Sequence, residues 1–195
     1  DAESDGRQFV FVHGYNVDET SARAWSAEMF KRLWQSGSRA MFTAVTWYGN
    51  DSQGALYLGN TPDYYSHVDH ALSTAGAFGS AVAALPGTAR YVGAHSLGNM
   101  MVSSAIAEHG LSVARYFMLN AAVPLEAYDP NAVTAAMRNN MTPGDWRPYA
   151  LRLRAGHWHG LFGTADARRD LTWKGRFAAI VNAVNYYSTD EDVLN

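Results

Sequence analysis

The chain has 195 residues, of which 48% are hydrophobic and 17% charged, and its formal net charge is −3. This length suits one domain and excludes two full-sized cores, and the composition excludes wholesale disorder. The acidic balance excludes a generally basic nucleic-acid binder, and the lack of cysteine excludes disulfides, zinc–thiolate sites and a cysteine nucleophile.

The predicted elements alternate between strands and helices. Residues 8–12 are apolar and β-branched or aromatic, which predicts a buried strand. Cap-forming residues at 18–21 and apolar side chains at Trp25, Met29 and Leu33 predict a helix that ends at Gly37. The further predicted elements, in chain order, are a strand at 40–47, a helix at 68–85, a strand at 89–95, a helix at 97–108, a strand at 113–121, a short helix at 132–139, a strand at 149–153 and a final strand within 177–187.

This alternation predicts right-handed crossovers, and therefore an α/β fold with a mainly parallel sheet and helices on both faces. We expect one domain over residues 1–195. The polar start at Asp1, which is not Met, predicts a processed or excised part of a longer chain. No apolar run approaches the roughly 20 residues that span a bilayer, so we expect no transmembrane segment. A cytoplasmic and a secreted location both stay open.

The strongest chemical signal lies where a predicted strand meets a predicted helix. Residues 94–98, here called the elbow, read Ala94-His95-Ser96-Leu97-Gly98, the G-x-S-x-G pattern of a nucleophile elbow with Ala in place of the first glycine. The turn is so tight that the residues two before and two after the serine must be small. It exposes the hydroxyl at the carboxyl edge of the sheet, where helix N–H groups face a developing oxyanion. A serine that merely caps a helix gives the same pattern by chance, and the strand–turn–helix context favours the nucleophile.

A second signal follows the first predicted strand. Residues 13–16, here called the HG loop, read His13-Gly14-Tyr15-Asn16. In α/β-hydrolases the loop after an early strand supplies a second oxyanion donor, and His-Gly is typical there. The donors here are then the N–H groups of Tyr15 and Leu97. By itself His-Gly also fits a simple strand-end turn, but both signals in this order, about 80 residues apart, rarely coincide.

Together, FVHGYN at 11–16 and AHSLGN at 94–99 make the chain resemble a bacterial family of α/β-hydrolases, esterase- or lipase-like, most of whose members have no assigned substrate. The ending, NYYS at 185–188 through Val193-Leu194, is similar to that family's last core strand and acid loop. The resemblance covers most of the chain, with specific motifs over about 25 residues. It implies serine ester-bond chemistry and no particular ester.

A serine triad also needs an acid that orients its histidine, and in this fold the chain order is serine, acid, histidine. The acidic segment offers Asp190, Glu191 and Asp192. The family's spacing, three residues after the serine of Tyr-Ser and two before the valine, implies Glu191. Asp190 is the alternative, because an acid three residues before a valine is also a frequent hydrolase pattern. Three consecutive acidic residues are also common in solvent-exposed loops, where they have no catalytic role.

The histidine of this triad is the missing part. Every histidine precedes residue 190, whereas the triad histidine should follow the acid. Two explanations stay open. The natural chain continues beyond Asn195 and carries the histidine there, which we favour, or His157 or His159 reaches Ser96 from an unusual direction. His95 adjoins Ser96, but an elbow points neighbouring side chains away from the serine, so we expect His95 to pack.

Metal and nucleotide sites are not indicated. His67 and His70 stand three apart without an evident third ligand, which predicts an exposed helix start and no metal site. No phosphate-binding glycine pattern is present, so we expect no nucleotide, and serine hydrolysis needs no cofactor. The basic residues between 168 and 176 are predicted to be a solvated loop, not a nucleic-acid site. The oligomeric state is not predicted.

The sequence thus favours a serine carboxylic-ester hydrolase that forms an acyl-enzyme on Ser96 and acts on a small-molecule or lipid ester. A non-catalytic binding module with a hydrolase fold is the alternative, and the lack of a downstream histidine is its main support. An acyltransferase or thioesterase that uses the same serine is a third hypothesis.

Overall fold

The computed structural model of the chain describes residues 4–49, 64–130, 164–165, 173 and 175–188. The chain divides into two compact units, Asp1–Val123 with Asn182–Asn195 and Pro124–Val181. The sheet, the HG loop and the elbow all belong to the first unit. The single domain expected over residues 1–195 stays a prediction.

Five strands form one parallel sheet in the described part of the first unit. They are β1 (Arg7–Val12), β2 (Met41–Val45), β3 (Ala89–His95), β4 (Arg115–Leu119) and β5 (Ala183–Tyr186). Their order across the sheet is β2-β1-β3-β4-β5, and each neighbouring pair is parallel. The carboxyl ends of these strands therefore lie along one edge. This arrangement confirms the α/β class and the parallel sheet.

Helices follow the first four strands. They are α1 (Glu19–Gln35), α2 (Tyr64–Ala83), α3 (Gly98–Ala107) and the short α4 (Leu125–Tyr128). Asp18 caps α1 as predicted, because its carboxylate accepts a hydrogen bond of 2.7 Å from the Ser21 N–H. The predicted apolar face of α1 is only partly covered, since Trp25 is 43% exposed. By contrast, α3 is buried over its first eight residues.

Helices cover both faces of the sheet, as predicted. Successive side chains of a strand point to opposite faces. On one face, Phe9 and Phe117 line a groove of about 320 Å3 together with Leu33 of α1. On the other face, the hydroxyl of Tyr116 donates a 2.8 Å hydrogen bond to Asn99 of α3. Because Tyr116 and Phe117 are consecutive residues of β4, α1 and α3 lie on opposite sides.

The last predicted strand lies within the predicted range of 177–187 and occupies its second half. The strand β5 covers Ala183–Tyr186, and residues 175–179 form turns. The apolar side chains before β5 belong to another packing group: Phe177 is fully buried, and its N–H donates to the Ala127 carbonyl at 2.7 Å. The predicted helix at 132–139 and strand at 149–153 lie outside the described residues. A bilayer-spanning helix is absent from the part of the chain that the structure describes.

Arg90 ties the end of α2 to the strand that leads to the elbow. Its guanidinium donates to the carbonyl oxygens of Val82 at 3.0 Å, Ala83 at 2.8 Å and Leu85 at 3.0 Å. Val82 and Ala83 end α2 and Leu85 follows it, in a region where helix carbonyls run short of backbone N–H partners, although the Val82 carbonyl also accepts from the Leu85 N–H at 3.2 Å. A planar guanidinium can serve several such acceptors at once. Arg90 thereby anchors β3 against α2.

We predict that Arg90→Met lowers the free energy of unfolding by about 2 kcal/mol, because charged hydrogen bonds to the helix end are lost. Arg90→Lys should recover only a part, since an ammonium group cannot reproduce the fork. Chemical denaturation measures both changes. Full stability of the Met variant would contradict this role for Arg90.

Candidate active site

Ser96 occupies a tight turn between β3 and α3. The strand ends at His95 and the helix begins at Gly98. Ser96 has a φ of +49°, in the left-handed region that serine rarely adopts. Its side chain is half-buried, so solvent reaches part of it. The turn holds the serine in a strained conformation at the carboxyl edge of the sheet, the backbone geometry that the elbow pattern predicts.

Two other non-glycine residues with positive φ lie at the same edge. Asn16 follows β1 with a φ of +58°, and Asn120 follows β4 with a φ of +42°. Asparagine adopts this conformation more readily than serine does. Strained backbone of this kind clusters at functional sites because the surrounding structure must be built to hold it. The carboxyl edge around β1, β3 and β4 is therefore the candidate site.

Backbone hydrogen bonds fix the peptide groups on both sides of Ser96. Its N–H donates to the Leu119 carbonyl at 2.9 Å, which extends the β3–β4 ladder by one residue. Its carbonyl accepts from the N–H of Asn99 at 3.1 Å and from the N–H of Ala122 at 3.2 Å. The strained conformation of Ser96 is thus determined by its neighbours in β4, in α3 and after β4.

Two glycines let the elbow and the HG loop approach each other closely. A Cβ on Gly98 would lie 2.4 Å from the His13 carbonyl oxygen, and a Cβ on Gly14 would lie 2.8 Å from the Ser96 Cβ. Atoms of a real side chain do not fit at either distance. Ala94 is fully buried at the position where the pattern has its first glycine. The structure therefore brings together the two motifs that the sequence singled out.

His13 orients the HG loop from inside the protein. Its side chain is 1% exposed, and its ring lies near that of Trp47 with centroids 6.0 Å apart. The ring Nδ1 is 2.9 Å from the Gly14 carbonyl oxygen, and Nε2 is 3.4 Å from the Trp47 N–H. A carbonyl only accepts and an N–H only donates, so the ring is neutral with its proton on Nδ1. Burial lowers the pKa of His13, in agreement with the neutral form.

The bond from His13 also sets the direction of the Tyr15 N–H. In a planar trans peptide, the carbonyl of one residue and the N–H of the next point in opposite directions. The Gly14 carbonyl faces the His13 ring, so the Tyr15 N–H faces away from it. The neighbouring Asn16 N–H is bound to the Gly49 carbonyl at 2.9 Å. The loop is therefore held at both of these peptide groups.

The second predicted donor belongs to the start of α3. Leu97 is the N-cap residue of this helix, and its side chain is fully buried. The first N–H groups of a helix have no acceptor within the helix and carry the positive end of its dipole. The HG loop also packs on α2, since the Tyr15 and His67 rings have centroids 4.9 Å apart. Tyr15 and Leu97 thus lie next to Gly14 and Ser96, whose mutual contact is described above.

Ser188, the last described residue before the predicted acids, lies at the same edge. The Ser188 N–H donates to the Asn120 side-chain oxygen at 2.8 Å, and the Asn120 N–H donates to the Tyr186 carbonyl at 2.8 Å. Ser188 is thereby tied to the end of β4, the strand beside that of Ser96. The predicted acids Asp190, Glu191 and Asp192 lie outside the described residues. The two candidate bases His157 and His159 also lie outside them.

The expectation of an exposed helix start at His67 is wrong. The helix α2 begins at Tyr64, so His67 lies within its first turn, and its side chain is fully buried beside Tyr15. The His67 and His70 rings have centroids 5.8 Å apart. Among the described residues, no group of three side chains that could ligate a metal is found. His95 packs as predicted, with its ring centroid 4.7 Å from that of Trp25.

Three polar side chains at or behind this edge were not predicted from the sequence. Asn99 and Tyr116 are fully buried and hydrogen-bonded to each other, and Asn120 holds Ser188. An asparagine directly after the elbow pattern was the available signal for Asn99. Tyr116 lies in a strand where a tyrosine is ordinary, so nothing in the sequence marked it.

We predict that Gly98→Ala lowers the free energy of unfolding by about 3 kcal/mol or more, because its methyl group would overlap the His13 carbonyl. Gly79→Ala is the matched control. It lies in α2, where a Cβ would be 3.6 Å from the Ala105 Cβ, and the better helix propensity of alanine should stabilise the protein by about 0.5–1 kcal/mol. Thermal and chemical denaturation of both variants test this. Equal stability of the two variants would contradict the close approach of the elbow and the HG loop.

We predict that His13 makes stability depend on pH below its ordinary pKa of 6.5. Burial lowers its pKa in the folded state, so below 6.5 the unfolded chain binds a proton that the folded chain does not. The free energy of unfolding therefore falls as the pH falls through this range, by at most about 1.4 kcal/mol per pH unit. Above it, His13 is neutral in both states and contributes no pH dependence.

The measurement is denaturation of wild type and His13→Gln between about pH 7.5 and about pH 5.5. The other histidines are common to both proteins, so the difference between the two isolates His13. The stability advantage of the wild type should shrink toward the acidic end. A constant difference would refute the buried neutral state of His13.

Comparison with protein-family models, with curated proteins and with solved structures gives no match to this chain.

Proposed function

We propose that the chain is a serine carboxylic-ester hydrolase of the α/β-hydrolase fold that forms an acyl-enzyme on Ser96. The observation that carries the proposal is the backbone of Ser96. A half-buried serine with a φ of +49° stands between a parallel strand and a helix, and its Cβ lies so close to Gly14 that a Cβ on Gly14 would be 2.8 Å from it. A serine that only caps a helix needs neither this strain nor this contact.

The strand order supports the finer fold proposal. From β1 the chain first crosses to β2 on one side, and later returns to β3 on the other side of β1. The loops after β1 and β3 therefore diverge to opposite faces and open a crevice between the two strand ends. In open parallel sheets, ligands bind at such a switch point. The HG loop and the elbow are the segments that follow β1 and β3.

The proposed reaction follows from the chemistry of these groups. The Ser96 Oγ attacks the ester carbonyl carbon, and a histidine accepts the hydroxyl proton as the bond forms. The N–H groups of Tyr15 and Leu97 stabilise the negative charge that develops on the carbonyl oxygen, at about 3 kcal/mol per donor. The tetrahedral intermediate then expels the alcohol, which takes the proton from the histidine. Water attacks the acyl-enzyme in the same way and releases the carboxylic acid.

His13 does not serve as the histidine of this mechanism. Both of its ring nitrogens face backbone groups of the HG loop and of Trp47, and burial opposes its protonation. A base that accepts a proton during catalysis must become cationic, which this environment disfavours. The proposal instead assigns the base to His157, His159 or a histidine outside the given sequence.

The proposed acid is Glu191, with Asp190 as the alternative. Ser188 is held beside the end of β4, and β5 lies two strands from β3. Two strand spacings amount to about 10 Å. A histidine placed between a serine and a carboxylate spans a distance of this order. The position of Ser188 thus supports an acid two or three residues later in the chain.

The experiment is covalent labelling of the full natural protein with a fluorophosphonate, which reacts with activated serines. We predict labelling of the wild type and complete loss of labelling in Ser96→Ala. Ser104→Ala is the matched control, because Ser104 is a buried serine of α3 whose hydroxyl bonds Glu108 instead of the elbow. Its labelling should match that of the wild type.

An unlabelled but folded wild type would overturn the proposal and favour a non-catalytic binding module. If labelling succeeds, a panel of esters, thioesters and alcohol acceptors separates hydrolysis of esters from thioester hydrolysis and acyl transfer. Release of acid from esters in water, faster than from thioesters, is the result we expect.

A further inference from the structure

A polar cluster is buried behind the elbow, between β4 and α3. It consists of Asn99, Ser103 and Tyr116, and each of these three side chains is 0% exposed. Burial of polar groups costs free energy unless their hydrogen bonds are made. Neighbouring buried positions such as Val92, Ala94 and Met101 are filled by apolar side chains, so packing alone does not require polar groups here. The cluster therefore needs a reason beyond filling space.

Asn99 bonds directly to the backbone of Ser96. Its side-chain Nδ2 donates to the Ser96 carbonyl at 2.9 Å and lies 3.5 Å from the Leu119 carbonyl. Its Oδ1 accepts from the Tyr116 hydroxyl at 2.8 Å. The opposite orientation of the amide would place its oxygen against two carbonyl oxygens, so these partners determine which way it points. The Asn99 side-chain amide thus has a defined orientation and donates to the carbonyl of Ser96, the residue with the strained backbone.

Tyr116 in turn is held from α3. Its hydroxyl lies 3.1 Å from the Asn99 carbonyl oxygen and 3.3 Å from the Ser103 hydroxyl. The hydroxyl has one proton, which it donates to Asn99, and it can accept the proton of Ser103. In a dry interior these bonds are stronger than in water and reinforce one another. The result is a buried chain of hydrogen bonds that ends at the Ser96 carbonyl.

We propose that Asn99, oriented by Tyr116, is a positioning residue that holds Ser96 in its left-handed conformation and so presents the serine hydroxyl to the ester. The inference rests on the proposed function. A backbone conformation of this kind costs free energy and persists only where neighbouring groups impose it. The Asn99 side chain adds a third donor to the Ser96 carbonyl, beside the N–H groups of Asn99 and Ala122. Asn99 does not touch the substrate in this scheme.

Two variants separate the parts of this chain of hydrogen bonds. Asn99→Asp keeps the size of the side chain but turns the donor into an acceptor that faces the Ser96 carbonyl. Tyr116→Phe removes one hydroxyl and leaves Asn99 in place. We expect the rate of fluorophosphonate labelling at Ser96 to fall about tenfold or more in Asn99→Asp and by a smaller factor in Tyr116→Phe. With an ester substrate, kcat should fall while KM changes little, because the bond acts on the serine and not on binding.

Ser104→Ala is again the control, because it removes a buried hydroxyl from α3 without touching the elbow. Stability is measured in parallel, and labelling rates are compared at temperatures where each variant is folded. An Asn99→Asp protein that labels as fast as Ser104→Ala would overturn the proposal. If Asn99→Asp does not fold, the same comparison is made with Tyr116→Phe, and a rate equal to that of the control has the same meaning.

A second readout does not depend on catalysis. The carbon-13 chemical shifts of the Ser96 Cα and Cβ report its backbone conformation. We expect left-handed shifts in the wild type and in Ser104→Ala, and a displacement toward ordinary values in Asn99→Asp. If the wild type is not labelled, the proposed function fails, while these shifts still decide whether Asn99 holds Ser96. Unchanged shifts in the folded Asn99 and Tyr116 variants would sink the inference.

Discussion

The contact between the ends of β1 and β3 is the constraint on which the candidate site depends. The backbone of Gly98 lies so close to the His13 carbonyl that no side-chain carbon fits between them, and Gly14 stands in the same relation to the Ser96 Cβ. Such an approach is available only to glycine. It fixes the distance between the HG loop and the elbow through backbone atoms. The relative position of the HG loop and the elbow therefore does not depend on flexible side chains.

Hydrogen bonds from the protein interior stabilise the strained backbone of Ser96. The ladder bond to Leu119 and the bonds to the Ser96 carbonyl leave its two peptide groups little freedom. They come from β4, from α3 and from the segment after β4, so three parts of the fold must be in place before the serine can take its conformation. The conformation of Ser96 is thus a property of the assembled sheet and helix, and a peptide of the same five residues would not adopt it.

Much of the fold could be predicted from the sequence because the strands are compact apolar runs separated by clear helix signals. The elbow and the HG loop were also predictable, since each combines small residues with a polar one at the end of a strand. The buried pair of Asn99 and Tyr116 was not, because the two residues are distant in the chain and meet only through the packing of α3 on β4. The start of the last strand within residues 177–187 could not be predicted, because an apolar side chain such as Phe177 does not reveal whether it packs from a strand or from a turn.

The close approach of the HG loop and the elbow has a consequence for how the proposed site would bind a substrate. His13 bonds one peptide group of the HG loop from inside the protein, and Gly14 and Gly98 allow the backbones of the HG loop and the elbow to approach closely. In the proposed reaction, the ester carbonyl would therefore meet backbone donors whose position is already set, and little binding energy would be spent on arranging them. Discrimination among acyl chains would then rest on the groups that contact the substrate on either side of the carbonyl.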